Sequence, residues 1–588
     1  MIVVGLAAPT IACIPSTHCP FPPVDARPRA LAVHVANVVL RLAASVYTPA
    51  NPGSDPGEAL RTAGEADRAL HATRAFSAGQ HLTGDQYPPH PGEDDKVSSM
   101  SRYRLHPRGG FVKAWHAAAV ALVVVACGAS ASAAGAWHST GRVNIVRQGQ
   151  APAKAPANTH YYKTIQAAVN ASTSGDWVLI EPGVYYEAVK VTSAQSGIWI
   201  RGMNRNKVII DGQHKAGNGI EIYKASNVWV ENLTARNFDT GCENCGNEIW
   251  WNGGAGSNKI GAHGWFGSYL TAYDDGLNGG YGIFTDNETE GSWDHVYASG
   301  FNDSGIYLGA CQECNARITT ATLENNALGY SGSNSGGRLA IEYSLVRHNA
   351  LGIAPNSENP GDGPPPQDGE CNRPNIENPN PTPSIASTNI PRCTVIRNNV
   401  ITENNNLTTP VNGSTAPAPW GVGVALPGDY ADLIEQNLIV NNANNGVLGF
   451  EYPNPFPPGG TTIFFQLAGN RIGKNLFVHN GYRGGAFTGD VTLAGGFFPF
   501  SESTNNCVSG NLFTSATFPA KIQGTWGCQN ATTPNPGGGE AAIGYLVTLP
   551  TEAAEARAKT PPVGQPVPPA QPSMPNACEG VPRNPLCP

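Results

Sequence analysis

One stretch of the chain gathers Asp274, Asp275, Asp286, Asp294, His295 and Asp303, side chains that could do acid–base or metal chemistry. Two carboxyl groups in different surroundings can act as the acid and the base of glycosidic bond cleavage. Their oxygens also suit calcium, which is the one cofactor this cluster admits. A lysine or histidine base, working beside a group that neutralises a substrate carboxylate, could instead remove a proton from the carbon next to it. Asp274, Asp275, Asp294, His295 and Asp303 are therefore the candidate catalytic residues. The competing reading is plainer: Asp-Gly at 275–276 and Asp-Ser-Gly at 303–305 are ordinary turn chemistry, and His263 reads as a turn or packing residue.

A second set could hold a sugar. The glycine-opened runs 282–285 and 305–308 align with 247–251. If Ile249, Ile283 and Ile306 point inward, alternation turns Trp250, Phe284 and Tyr307 outward on three successive strands. Rings in such a row would offer a platform for the apolar face of a sugar, with Asp286 at its edge. A loop, such as the insertion 355–391, could equally cover them and make them structural.

These residues need a scaffold of stacked short strands. Runs of about four β-forming residues recur at 177–180, 189–191, 198–201, 208–210, 220–223 and 228–230, with turn residues such as Pro182-Gly183 and Asp211-Gly212 between them. A small or polar residue, two β-forming residues and then Asn five positions on repeats with its first member at 232, 344, 399, 437 and 475. Weaker copies start at 269, 295, 321 and 511. Strands this short suit a solenoid. The repeated Asn would hold the left-handed turn conformation and pair with the Asn above it.

The 588 residues include 69 Gly, 49 Pro and 13 Cys, with a formal net charge of −8. That charge offers no basic surface for nucleic acid. Residues 1–99 have no sustained apolar period and read as an unstructured or mis-assigned upstream segment. Residues 100–136 have the form of an export signal: Arg102, Arg104, Arg108 and Lys113, an apolar run from 117 to 126, then small residues. The same run, 117–136, would otherwise serve as a membrane anchor of marginal length. Residues 137–159 read as a linker, 160–530 as the solenoid with its insertion at 355–391, and 531–588 as a Pro-rich disordered tail. In an exported chain the ten cysteines from Cys242 onward read as disulfides, with 371–393, 507–528 and 578–587 as plausible local pairs. The separated C-x-x-C pairs, Cys242/Cys245 and Cys311/Cys314, leave zinc as the alternative.

The segments Thr164–Val169, Gly175-Asp176-Trp177-Val178, Pro182–Glu187, Gly202 and Ile210-Asp211-Gly212 together resemble the start of pectin-lyase-like right-handed parallel β-helices. Asp303-Ser304-Gly305-Ile306-Tyr307-Leu308 resembles the parallel β-helix repeat of exported proteins. The resemblance implies an all-β right-handed solenoid of about ten coils over 160–530, with an N-terminal capping helix. It implies a carbohydrate polymer or cell-wall glycan as partner, but no reaction, because the fold carries lyases, hydrolases, esterases, epimerases and adhesins. The motifs of individual families are incomplete: the order around Gly261-Ala262-His263-Gly264 and Asp274-Asp275 departs from polygalacturonases, Gly183–Glu187 is one residue short for methylesterases, and only Asp294-His295 remains of the epimerase motif. Val124-Val125-Ala126-Cys127-Gly128 resembles a lipobox, with Val where Leu is usual, so Cys127 is a lipidation candidate. The expectation is a secreted or surface-anchored protein that binds or modifies a polysaccharide as a lyase, epimerase or hydrolase; a non-catalytic glycan-binding or structural protein is the alternative.

Overall fold

The computed structural model describes residues 141–152, 154–240, 245–254, 259–311, 313–357, 393–453, 464–494, 504–528 and 539–588. The upstream segment 1–99, the export signal 100–136 with Cys127, and nearly all of the insertion 355–391 lie outside the described residues.

Three parallel sheets, of thirteen, ten and eleven strands, run the length of the solenoid. A coil contributes one strand to each, as Val228–Glu231, Thr234–Arg236 and Asn247–Asn252 do in turn. The molecule is an all-β right-handed parallel β-helix, the handedness that right-twisted strands impose on parallel connections. Strand-to-strand register stacks like on like. In the third sheet Ile220, Ile249, Ile283, Ile306 and Tyr330 form one column. All five are fully buried, and each aliphatic member contributes about 1.5–3 kcal/mol of burial.

Asn columns close the turns, as the repeat predicts. Asn399, Asn437 and Asn475 donate Nδ2 to the Oδ1 of Asn437, Asn475 and Asn511 at 3.0, 2.9 and 3.0 Å. Asn326, Asn349, Asn404, Asn442 and Asn480 form a second column, at 2.9–3.1 Å. A third, Asn470 on Asn506 at 3.0 Å, was not foreseen. One expectation is corrected. In the ladder coils the left-handed residue is the one before the Asn, Glu403, Gln436, Lys474 and His479 having φ of 53–57°, whereas Asn232 and Asn237 themselves take that conformation, with φ of 58° and 59°. The ladder amide is needed elsewhere, since Asn437 also donates to the carbonyl of Ile396 at 2.9 Å.

Each end is closed by a glutamine. The capping helix Ile165–Asn170, with Thr164 as N-cap, presents Gln166 to the edge strand of the third sheet. Its amide accepts from Lys190 N at 2.7 Å and donates to Lys190 O at 2.9 Å. At the far end Gln523, in the short helix Ile522–Thr525, does the same to Asn511 N and O, at 2.8 and 3.1 Å.

Two boundaries differ from expectation. The segment read as a linker holds a sheet strand, Val143–Val146. The segment read as a disordered tail holds the helix Gly539–Lys559, followed by an extended run bonded to the solenoid. Arg205 Nη1 donates to Pro572 O at 3.0 Å, Arg201 Nη1 to Ala577 O at 3.1 Å, and Ser573 Oγ to Asn232 Oδ1 at 2.8 Å. Proline suits such a run: it fixes an extended backbone in advance, and side-chain donors of the solenoid meet its carbonyls. Cys578–Cys587 closes its end, near Val143, Leu179 and Trp177. Cys311–Cys314 and Cys507–Cys528 are also bridged, and Cys245 and Cys393 are disulfide-bonded. Oxidation removes Cys245, Cys311 and Cys314 as thiolate ligands, so the zinc alternative falls.

Candidate functional site

Three stacked turns leading from the second sheet into the third build the site. Their strands end in register at Asp211, Arg236 and Tyr273. Gly212-Gln213-His214, Asn237-Phe238-Asp239 and Asp274-Asp275-Gly276 follow, one turn above the other. Left-handed backbone at Gln213, His214 and Asn237 bends the chain sharply there. The result gathers residues far apart in sequence. His214 Nδ1 lies 2.8 Å from Asp239 Oδ2, and its Nε2 lies 3.0 Å from Asp275 Oδ1. Asp274 Oδ1 accepts from Gly276 N at 2.6 Å and sits 3.9 Å from His214 Nδ1. Gly276 stands in the centre: a Cβ there would come within 2.8 Å of Asp239 Oδ2 and 3.0 Å of Asp274 Oδ1. Below it, Arg236 pairs with Asp211 at 2.7 Å and donates to Tyr273 Oη at 2.7 Å.

The electrostatics are uneven. His214 and Asp275 keep 41% and 35% of their side-chain surface exposed. Asp239, Asp274 and Glu248 are buried. Burial pushes the Asp274 carboxyl up to about 6; the Asp239 charge adds to this, while the Gly276 and Gly279 amides and His214 oppose it. Glu248 is raised well above the usual range by burial and by the charge of Asp274, and among the described residues only Phe238 N, at 3.1 Å, offers it a hydrogen bond. Burial of this kind favours the neutral form of the carboxyl. Partial burial alone would lower His214, but the bond to Asp239 and the surrounding carboxylates raise it. An imidazolium donates through both ring nitrogens, which matches a carboxylate on each side.

The sequence candidates are thus divided. Asp274 and Asp275 are in the cluster. Asp294 and His295, paired at 2.7 Å, sit on the turn from the first sheet to the second, with His295 stacked on Tyr269 at 4.5 Å. Asp303 is buried and ties down a loop, accepting from Asn412 Nδ2 at 3.1 Å and Ser304 Oγ at 2.8 Å. Asp286 accepts from Trp250 Nε1 at 2.8 Å. His263 is exposed on a short bridge with Thr289.

Trp250, Phe284 and Tyr307 do align across three strands. Their rings differ from a flat platform, however. Trp250 is only 7% exposed and stacks on Phe284 at 5.1 Å and 3°, so these two spend their faces on each other. Tyr307 is turned 88° from Phe284 and lies over Gly309, where a Cβ would meet the ring at 2.3 Å. A longer stack, Trp177–Trp199–Trp229–Phe266, runs along the first sheet with centroids 4.4–4.9 Å apart.

His214, Asp239 and Asp274 are close enough to hold a metal ion, with ligand atoms within 4.8 Å of one another. Calcium takes an all-oxygen shell. A ring nitrogen stands inside this set, and Asp294 and Asp303, which would have extended it, lie elsewhere, so the donors do not fit calcium. Among the described residues no helix is long and apolar enough to cross a membrane.

The architecture is that of a right-handed parallel β-helix. No family model matches the chain, and no curated protein does. Among solved structures, the A-module of the mannuronan C-5 epimerase AlgE4 of Azotobacter vinelandii is 14% identical, with a TM-score of 0.34 over 59% of this chain and 89% of that one. An alginate lyase from Paenibacillus sp. str. FPU-7 is 12% identical, with a TM-score of 0.32 over 60% and 93%. The pectin methylesterase PemA from Erwinia chrysanthemi is 13% identical, with a TM-score of 0.28 over 67% and 98%. Likeness of this degree says nothing of activity.

Proposed function

We propose that this protein is exported and binds a polysaccharide across the outer face of the third sheet, and that the His214 cluster performs acid–base chemistry on it. One observation carries the reading. The three turns bearing His214, Asp239 and Asp274-Asp275 each lead into the third-sheet strands whose outer positions are Glu221, Trp250 and Phe284. A polymer lying on that face would pass the cluster. The disulfides support export, since such bonds persist in oxidising compartments.

The cluster holds groups whose environments push their protonation apart, which is how one site supplies both an acid and a base. The His214 imidazolium, aimed by Asp239, would donate a proton or meet a developing negative charge. Asp275, the exposed carboxylate beside it, would act as the base. Lyase, epimerase and hydrolase chemistry all begin from such a pair. A non-catalytic glycan binder is the second reading, favoured by the depth at which Asp239, Asp274 and Glu248 lie.

Incubation with pectate, alginate and neutral glycans, monitored for unsaturated and reducing ends, tests this. New ends should appear with the wild type and fall by about 100-fold or more in His214→Ala and Asp275→Asn. Binding without new ends would select the second reading, and no binding to any of these polymers would remove both.

A further inference from the structure

We infer that the groove takes the end of a polymer chain and not its middle; this rests on the third-sheet face being the binding surface. The outer column of that sheet changes character along the solenoid. It reads Lys190, Glu221, Trp250, Phe284 and Tyr307, then Ser331. Beyond Ser331 the outward residues, among them Ala354, Ala425 and Leu448, pack under Leu549 of the helix Gly539–Lys559. Tyr545 Oη of the same helix donates to Asn445 Oδ1 at 2.7 Å. The C-terminal half of the face is therefore occupied by the chain itself.

A wall stands where the open part ends. In the loop that follows Asn406, Asn412 Nδ2 and Ser414 Oγ reach Asp303 at 3.1 and 3.3 Å, just before the Tyr307 strand. Arg557 Nη1 donates to Ala416 O at 3.1 Å, which ties the helix to this loop. On the cluster side the chain after the helix forms a rim. Gly564 packs so closely on the carbonyls of Asp275 and Gly276 that a Cβ would come within 2.1 Å of the first. Val563 N donates to Thr408 O at 3.0 Å. The opposite end has no such cover among the described residues, and the Lys190 side chain there is 53% exposed.

The part of the face that the helix and its loop leave uncovered spans five strands, or roughly 19 Å at the usual spacing of parallel strands. The cluster turns enter it at the levels of Glu221, Trp250 and Phe284, and the wall stands one strand beyond, at Tyr307. A chain running along the solenoid axis can thus push only a short terminal piece past the chemistry.

Pectate, alginate and a neutral β-glucan, each prepared at two mean lengths, are titrated at equal mass against the full chain. Saturation should follow the concentration of chain ends, so that the shorter preparation saturates the protein at proportionally lower mass. Where the polymer is also cleaved, mono- and disaccharides should appear from the first time point. Saturation that follows polymer mass alike for both lengths overturns end binding and leaves glycan binding standing. No binding to any of the three overturns this inference together with the reading beneath it. Deletion of 539–588 should move saturation toward mass dependence; because that also uncovers Leu351 and Leu448, the wild-type titration is the deciding one.

Discussion

Gly276 is the position at which the cluster is most sensitive to a single methyl group. In Gly276→Ala the added carbon must displace the carboxylates of Asp239 and Asp274. The expected outcome is loss of polymer modification with a far-ultraviolet spectrum unchanged from wild type. The buried acids predict a pH effect of definite sign. Asp274 binds its proton more tightly folded, near 6, than unfolded, near 3.9. The stability this contributes is present below about pH 4 and is lost as pH rises through about 6, by up to roughly 3 kcal/mol. Asp274→Asn should flatten the fall in melting temperature between pH 4 and pH 7; an unchanged slope would contradict the assignment. The Asp274-Asp275 pair was legible in the sequence because its members are adjacent. His214 and Asp239 were not, because each looks like a turn residue until three coils are laid in register. Asp294-His295 shows the complementary case: it lies near Asp274 in sequence, yet the coil carries it to a different corner.

The Asn columns set the stability of the coils. In Asn442→Ala, Asn404 loses the acceptor for its Nδ2 and Asn480 loses a donor. Both groups are buried, so the cost should be about 2–4 kcal/mol. Amide exchange should accelerate most in the coils on either side. The five-residue offset made these columns readable from sequence. The column through Asn470 and Asn506 stands one further five-residue step back, before Asn475 and Asn511, on the turn into the first sheet; a repeat that starts at 475 and 511 leaves it out. The left-handed position is the expected one at Asn232 and Asn237 and lies one residue earlier in the ladder coils, because Asn is favoured there intrinsically while the stack demands its side-chain amide.

At the scale of the molecule, the C-terminal run belts the solenoid back to its first coils. Composition predicts disorder for such a proline-rich segment; what composition does not show is the row of donors on the solenoid, Arg201, Arg205 and Asn206, that meets its carbonyls. Arg205 is buried with no carboxylate partner among the described residues, and burial pushes its guanidinium down to about 9. Removing 561–588 takes away one of its acceptors and uncovers Trp177 and Leu179. The N-terminal coils should then exchange their amides at least tenfold faster while the coils around Asn437 keep their protection. Opening the Cys578–Cys587 bridge by paired Ser substitution should cost about 2–3 kcal/mol, the value for a loop of this length.

The two terminal glutamines have a consequence for how molecules meet one another. A coil leaves its neighbour a ready template of unpaired peptide groups, and a second molecule could add to it as one more coil. Gln166 covers Lys190, and Gln523 covers Asn511, with a side-chain amide that imitates a peptide and then offers no further strand. These glutamines therefore act as chain terminators for an assembly that would otherwise grow end to end. Their loss, more than any change at the His214 cluster, would be expected to turn separate particles into filaments.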